Sequence, residues 1–216
     1  MTELTVSVAI KARRSTRSYK NEPIPHALLE EVLRLACMAP SAKNGQPWRV
    51  TVLQGAQLEA FRAAVVAAFE SGKTGSFGAS AGSLRSMRGG RSLQKAFAPA
   101  MEAAGVSPAE LIRRSIVFFD APAVALVSLD EADLPRGLVD AGLFVSHLCL
   151  AAQGLGLDSC IAGYVRIVEG AVSDFLNWGK GRRLILGVAL GYGAGEPIDG
   201  FKSPREPFDE TVEWEE

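Results

Sequence analysis

The sequence predicts an α+β fold in which a sheet is covered by helices, and three observations carry that prediction. Segments with apolar residues at helical spacing outnumber segments with strand character. The strand-like segments, residues 48–53, 122–128 and 184–190, are scattered among the helices without regular βαβ alternation. Residues 138–152 are apolar on nearly every side, so that helix needs cover all round.

Taken in order, residues 5–13 read as a short helix with Val6, Ala9 and Ile10 on one side, running into Arg13-Arg14-Ser15-Thr16-Arg17. Asn21-Glu22-Pro23-Ile24-Pro25 is a rigid entry to a second helix, where Leu28, Leu29, Val32, Leu33, Leu35 and Ala36 recur at helical spacing until Pro40 stops it. A polar loop from Pro40 to Pro47 leads into β-branched alternation at 48–53, then a helix at 58–69. Residues 71–92 hold six Gly and six Ser among 22, too little apolar side chain to fix a packed element, so a mobile loop or lid is expected. Its Lys73, Arg85, Arg88 and Arg91 read more simply as a solvated face than as substrate contacts.

Residues 122–128 form a short apolar strand, and the helix at 138–152 is interrupted only by Asp140, Ser146 and His147. A chain of this size has little room to enclose such a helix, so a second copy is expected to bury one face, with His147 a satisfied core histidine. The apolar run at 184–190 suits a strand covered on both faces and ends at Gly191-Tyr192-Gly193-Ala194-Gly195, before a Pro-interrupted tail.

At 216 residues, 48% hydrophobic and 22% charged, one domain spanning 1–216 is expected. The net charge of -1, from 23 basic and 24 acidic residues, gives no global reason for a nucleic-acid or anionic-membrane partner. No apolar run reaches the roughly 18 residues that span a bilayer, and a cytoplasmic location is expected. Cys37, Cys149 and Cys160 are odd in number and set among apolar neighbours, which predicts reduced, buried thiols. His26 and His147 form no metal-spaced pair, so no metal site is expected and a cofactor has to supply any chemistry.

Arg13, Arg14, Ser15 and Arg17 concentrate bidentate donors and a hydroxyl within five residues, suited to a phosphate monoester, although a basic cluster at a helix end also pairs with the helix C-terminus. The stretch from these residues through the Pro-Ile-Pro entry to Ala39-Pro40-Ser41-Ala42-Lys43-Asn44-Gly45-Gln46-Pro47-Trp48 resembles the nitroreductase family. The likeness continues at Asp140-Ala141-Gly142, at residues 154–160, at the strand into Gly191-Tyr192, and at Lys202-Ser203-Pro204-Arg205-Glu206-Pro207-Phe208. It covers nearly the whole chain except 71–92.

The resemblance implies a three-layer α+β fold with a central, mostly antiparallel sheet, in an entwined homodimer that holds non-covalent FMN at the subunit interface. It implies that Arg13, Arg14 and Ser15, with Arg205 from the tail, hold the FMN phosphate, that Lys202 also belongs to the FMN site, and that Arg17 faces the pyrimidine edge of the ring. A cation there favours the negative charge that hydride addition leaves near that edge. Pro40, Ser41, Ala42 and Asn44 match the loop that reaches FMN across the dimer, and Ile161, Ala162 and Gly163 match the backbone beside the reactive edge. The implied activity is ping-pong reduction of nitroaromatic, quinone or related small acceptors with NAD(P)H, the flavin and no side chain carrying the chemistry. Same-fold alternatives are an enone reductase, a dehalogenase, a flavin-destructase, a dehydrogenase or a non-catalytic flavin-binding protein. A dinucleotide fingerprint at 191–195 is disfavoured, because Glu196-Pro197-Ile198-Asp199-Gly200 reads as a turn where that motif needs a helix.

Overall fold

The computed structural model describes residues 4–75 and 90–215. Its elements run α1 (Val6–Ala12), α2 (His26–Ala36), β1 (Arg49–Gln54), α3 (Gly55–Glu70), α4 (Gly90–Ala103), α5 (Pro108–Ile116), β2 (Ala123–Asp130), α6 (Gly137–Gly154), β3 (Asp158–Ala162), α7 (Glu169–Phe175) and β4 (Arg182–Gly191). The described strands form one sheet in the order β1-β2-β4-β3, every neighbouring pair antiparallel.

The sequence of β2 explains the layering. Side chains alternate across a strand, and here both sides are apolar. Ala123, Ala125, Val127 and Leu129 join Leu29 and Val32 of α2 and Phe144 and Leu148 of α6 in one core. Val124 and Leu126 join Phe61 and Val65 of α3, Ile116 of α5 and Val172 of α7 in a second core on the other face. Helices therefore cover both faces and the fold has three layers. In β4 a bulge at Ile185 shifts the register between Val127 and Ser128, which brings Leu184 and Ala189, of opposite parity, into the same second core.

Between α5 and β2 the chain makes a left-handed turn, with φ of 60° at Phe118, 54° at Phe119 and 57° at Asp120. Such backbone costs roughly 1–2 kcal/mol per residue outside glycine, so something must brace it. Arg62, buried on α3, donates from Nε to the Val117 carbonyl at 3.0 Å and from Nη2 to that of Ala121, and pairs with Glu59 at 2.5 Å. The turn drives the Phe118 ring against Gly187, where a Cβ would lie 2.2 Å from Phe118 Cε1.

Several expectations need correction. Of the stretch 71–92, residues 76–89 lie outside the described residues, Arg85 and Arg88 among them, but 90–92 already belong to α4 instead of a loop. Three helices, α4, α5 and α7, and the edge strand β3 occupy stretches where no element is predicted. For α5 the signal was present: Ser107 caps it, accepting from the Glu110 N–H at 3.1 Å, with Pro108 in the first turn.

Within the single chain, helix α6 leaves Leu138, Val139 and Leu143 exposed, Val139 at 71%, so one face of it is uncovered, as the expectation of a second copy on that helix requires. His147 is half-buried and no core residue; its Nδ1 lies 2.9 Å from the Leu143 carbonyl of its own helix. Cys149 and Cys160 are buried free thiols, but Cys37 is exposed. Among the described residues α6 alone is long and apolar enough to cross a membrane, and its Phe144, Leu148 and Ala152 pack into the core.

Candidate active site

The arginine cluster is extended backbone laid beside the sheet. Helix α1 ends at Ala12, and the Arg13 N–H bonds back to the Ala9 carbonyl before the chain straightens. The Thr16 N–H then donates to the Ser159 carbonyl at 3.1 Å, pairing Ser15 with β3. Beyond it the Lys20 N–H donates to the Tyr192 carbonyl at 2.8 Å, pairing Tyr19 with the segment after β4. Alternation along this stretch buries Thr16 and Ser18 and leaves Arg13, Ser15 and Arg17 only partly covered.

The tail comes to the same place. A 3-10 turn at Pro197–Gly200 sets Asp199 against the cluster, where its carboxylate accepts from the Arg17 N–H at 2.5 Å and from the Ser18 hydroxyl. Arg114 of α5 donates to the Arg17 carbonyl at 3.2 Å. That turn also removes the dinucleotide reading of 191–195, because no helix follows the glycines to receive a pyrophosphate.

A cavity of about 280 Å³ opens between the two ends of the chain, lined by Ile10, Lys11, Arg13, Arg14, Ser15, Arg17, Phe201, Lys202, Ser203 and Arg205. Six of these residues are cationic and none is acidic. Arg14 satisfies the simpler expectation for a helix end: its Nη1 donates to the Lys11 and Arg13 carbonyls at 2.7 and 2.8 Å. Arg205 folds onto the Ser203 and Pro204 carbonyls at 3.1 Å each. The Arg17 guanidinium lies over the Phe97 ring, its Cζ 4.6 Å from the centroid, and meets no carboxylate among the described residues.

The end of β3 adjoins this site through the Ser15–Ser159 pairing. Ile161 is 48% exposed and Ala162 is fully buried. A Cβ on Gly163 would meet nothing within 4 Å, so the space before that backbone is open. The loop holding Pro40, Ser41, Ala42 and Asn44 does not line the cavity of its own chain. Its backbone is left-handed at Lys43, Asn44 and Gln46, with φ of 53°, 57° and 45°. The Ser41 hydroxyl accepts from the Gln46 N–H at 3.0 Å, and Asp140, buried in the first turn of α6, accepts from the Ala42 N–H at 3.1 Å.

Two buried thiols and a buried phenol lie beside the cluster. Burial pushes the Cys160 thiol up to about 11 and raises Cys149, while burial holds Tyr19 well above the ordinary phenol value. Among the described residues no three His, Cys, Asp or Glu side chains gather as a metal site. Residues at the site to which the sequence assigned no role there are Lys11, Phe201, Phe97, Arg114 and Asp199. Only Lys11, one helical turn before Arg14, had a local signal.

A model of the nitroreductase family matches residues 10–192. The chain is 30% identical to a 4-nitrobenzoate reductase of Nocardioides sp. (strain LMS-CY), over 94% of this chain and 87% of the relative. Its structure superposes on the FMN and NADPH-dependent nitroreductase NfnB from Sphigopyxis sp. strain HMH with a TM-score of 0.86 and 25% identity, covering 99% and 100% of the two chains. The NfnB of Mycobacterium smegmatis, solved with NADPH, gives 0.83 at 25% identity over 97% of each chain. The three-layer α+β architecture is thus shared along essentially the whole chain.

Proposed function

Because this chain belongs to the nitroreductase family, we propose that it is an FMN-dependent oxidoreductase that uses NAD(P)H to reduce small electron-poor acceptors, nitroaromatic compounds foremost. One observation carries the reading: cations from opposite ends of the chain converge on a cavity whose lining, among the described residues, includes no carboxylate. Unneutralised guanidinium and ammonium groups beside a Ser hydroxyl are the donor set of a phosphate monoester, which carries nearly two negative charges. The open space at Gly163 and the exposed Ile161 leave room for a flat ring beside them. The residues present therefore fit FMN.

When bound, FMN supplies a ring that accepts a hydride from the nicotinamide and yields it to the acceptor. The chain's part is binding and orientation. Arg13, Ser15, Lys202 and Arg205 hold the phosphate, Arg14 fixes the angle at which the cluster leaves α1, and Arg17 places a positive charge toward the pyrimidine edge. Pro40, Ser41, Ala42 and Asn44 serve the site of a second copy, which makes the working unit a homodimer. Exposed Val6, Val8 and Ile10 of α1 and Leu138, Val139 and Leu143 of α6 give that copy an apolar surface to cover.

Purified protein should be yellow, bleach under anaerobic NADPH or NADH, and recover colour on adding 4-nitrobenzoate. Recovery with an enone or a halogenated phenol in place of any nitro compound would move the activity to another reaction of the fold. The Arg13→Ala, Arg205→Ala double variant should be largely flavin-free, losing on the order of 10²-fold or more in FMN affinity, since each charged hydrogen bond contributes about 1.5–3 kcal/mol. A colourless wild-type protein that takes up no FMN sinks the proposal.

A further inference from the structure

We propose that Phe97 is a positioning residue for Arg17, an aromatic shelf that aims the guanidinium without neutralising it. The inference rests on the FMN reading above.

The backbone of Arg17 is pinned on both sides, its N–H by Asp199 and its carbonyl by Arg114. Neither contact directs the side chain. Two others do: Nη1 donates to the Ser15 carbonyl at 3.0 Å, and Cζ sits 4.6 Å from the Phe97 centroid. Phe97 is itself fixed. It is 9% exposed on α4, and its ring packs on Phe201 of the cavity wall with centroids 4.7 Å apart and planes inclined at 45°. The tail turn that holds the Arg17 backbone through Asp199 therefore leads directly into the residue that holds the shelf.

The choice of an aromatic partner has a physical consequence. A carboxylate would orient an arginine equally well, but it would cancel the charge at the distance of a ligand and favour neither redox form of a flavin. A ring face attracts the cation through its quadrupole and leaves the net charge intact. A long side chain that otherwise samples many rotamers is then held with its full charge available to an anionic ring. Phe97 touches neither phosphate nor nicotinamide in this scheme; it acts through Arg17.

The test compares affinities of the purified protein for oxidised and reduced FMN, by fluorescence titration in air and under anaerobic dithionite. Phe97→Leu keeps an apolar side chain and removes the ring face. It should weaken reduced FMN about three- to tenfold more than oxidised FMN, because the freed guanidinium no longer holds its charge toward the anionic reduced ring. Phe97→Tyr keeps the face and should restore the wild-type ratio. Pentafluorophenylalanine at 97 has nearly the same shape with the ring quadrupole reversed, and should behave like Phe97→Leu even if that variant folds poorly. Equal losses for both redox forms, or no loss in the fluorinated protein, overturn the proposal by reducing Phe97 to packing. If wild-type protein binds neither form of FMN, the functional reading fails first, and this inference goes with it.

Discussion

Asp199 is a single carboxylate with two donors to satisfy, the Arg17 N–H and the Ser18 hydroxyl, and it ties the tail to the arginine cluster. Replacing it with Ala leaves both donors without their acceptor, at about 1–3 kcal/mol for each buried group. Asp199→Ala should therefore lower the melting temperature and weaken FMN together, whereas Asp199→Asn, which keeps acceptor capacity, should recover part of both; differential scanning fluorimetry with FMN titration checks this. The thiols make a second residue-scale prediction. Cys37 is exposed, while Cys149 and Cys160 are buried, so a thiol reagent at pH 8 should label one site in the folded protein and three after unfolding. Because burial raises the Cys160 thiol from 9.0 to about 11, the unfolded chain loses its proton first as pH rises. Stability from keeping that thiol neutral is complete below about pH 9 and declines from there through the folded value near 11. Chemical denaturation at pH 8, 9.5 and 10.5 should show falling stability, and a Cys160→Ala variant should fall less over that window.

At the scale of elements, the junction of α3, the left-handed turn and β4 is the least forgiving part of the fold. Gly187 is there because the Phe118 ring occupies the place of its Cβ, 2.2 Å away, and the ring is there because Arg62 holds the turn by the Val117 and Ala121 carbonyls. Gly187→Ala should cost about 1–3 kcal/mol as an overpacked core substitution. The Gly187→Ala, Phe118→Leu pair should recover part of it relative to the sum of the single changes, as measured by a denaturation cycle. This junction was not legible in the sequence. Phe118-Phe119-Asp120 has no glycine or asparagine to announce positive φ, and Arg62 reads as one more polar residue on an amphipathic helix. By contrast α2, α3, α6, β1, β2 and β4 were legible because each buries a periodic set of side chains in a core. Helix α4 opens inside the Gly/Ser-rich stretch and carries Pro99 within it, α7 is only seven residues long, and β3 is a five-residue edge strand beside the cluster.

At the scale of the whole molecule, the bare faces of α1 and α6 belong to one surface, since the two helices pack together while Val6 is 72% and Val139 71% exposed. In the proposed dimer a charge on that surface is buried against the partner copy's apolar surface. Val139→Glu should thus convert the protein to a monomer in size-exclusion chromatography and release FMN, because the loop at Pro40–Asn44 then no longer reaches a neighbouring site; a dimer retaining flavin would place the interface elsewhere. The sequence by itself determined the α+β class, the two-sided burial of β4, and the presence of cations at both ends, because periodicity and residue type are local properties of a chain. Only the tertiary structure decided that Arg13 and Arg205 share a cavity, that Asp199 fastens Arg17, and that Phe97 lies beneath its guanidinium. Such contacts, one of them spanning 182 residues, follow from the packing of helices and chain ends on the sheet, and no spacing within the chain encodes them.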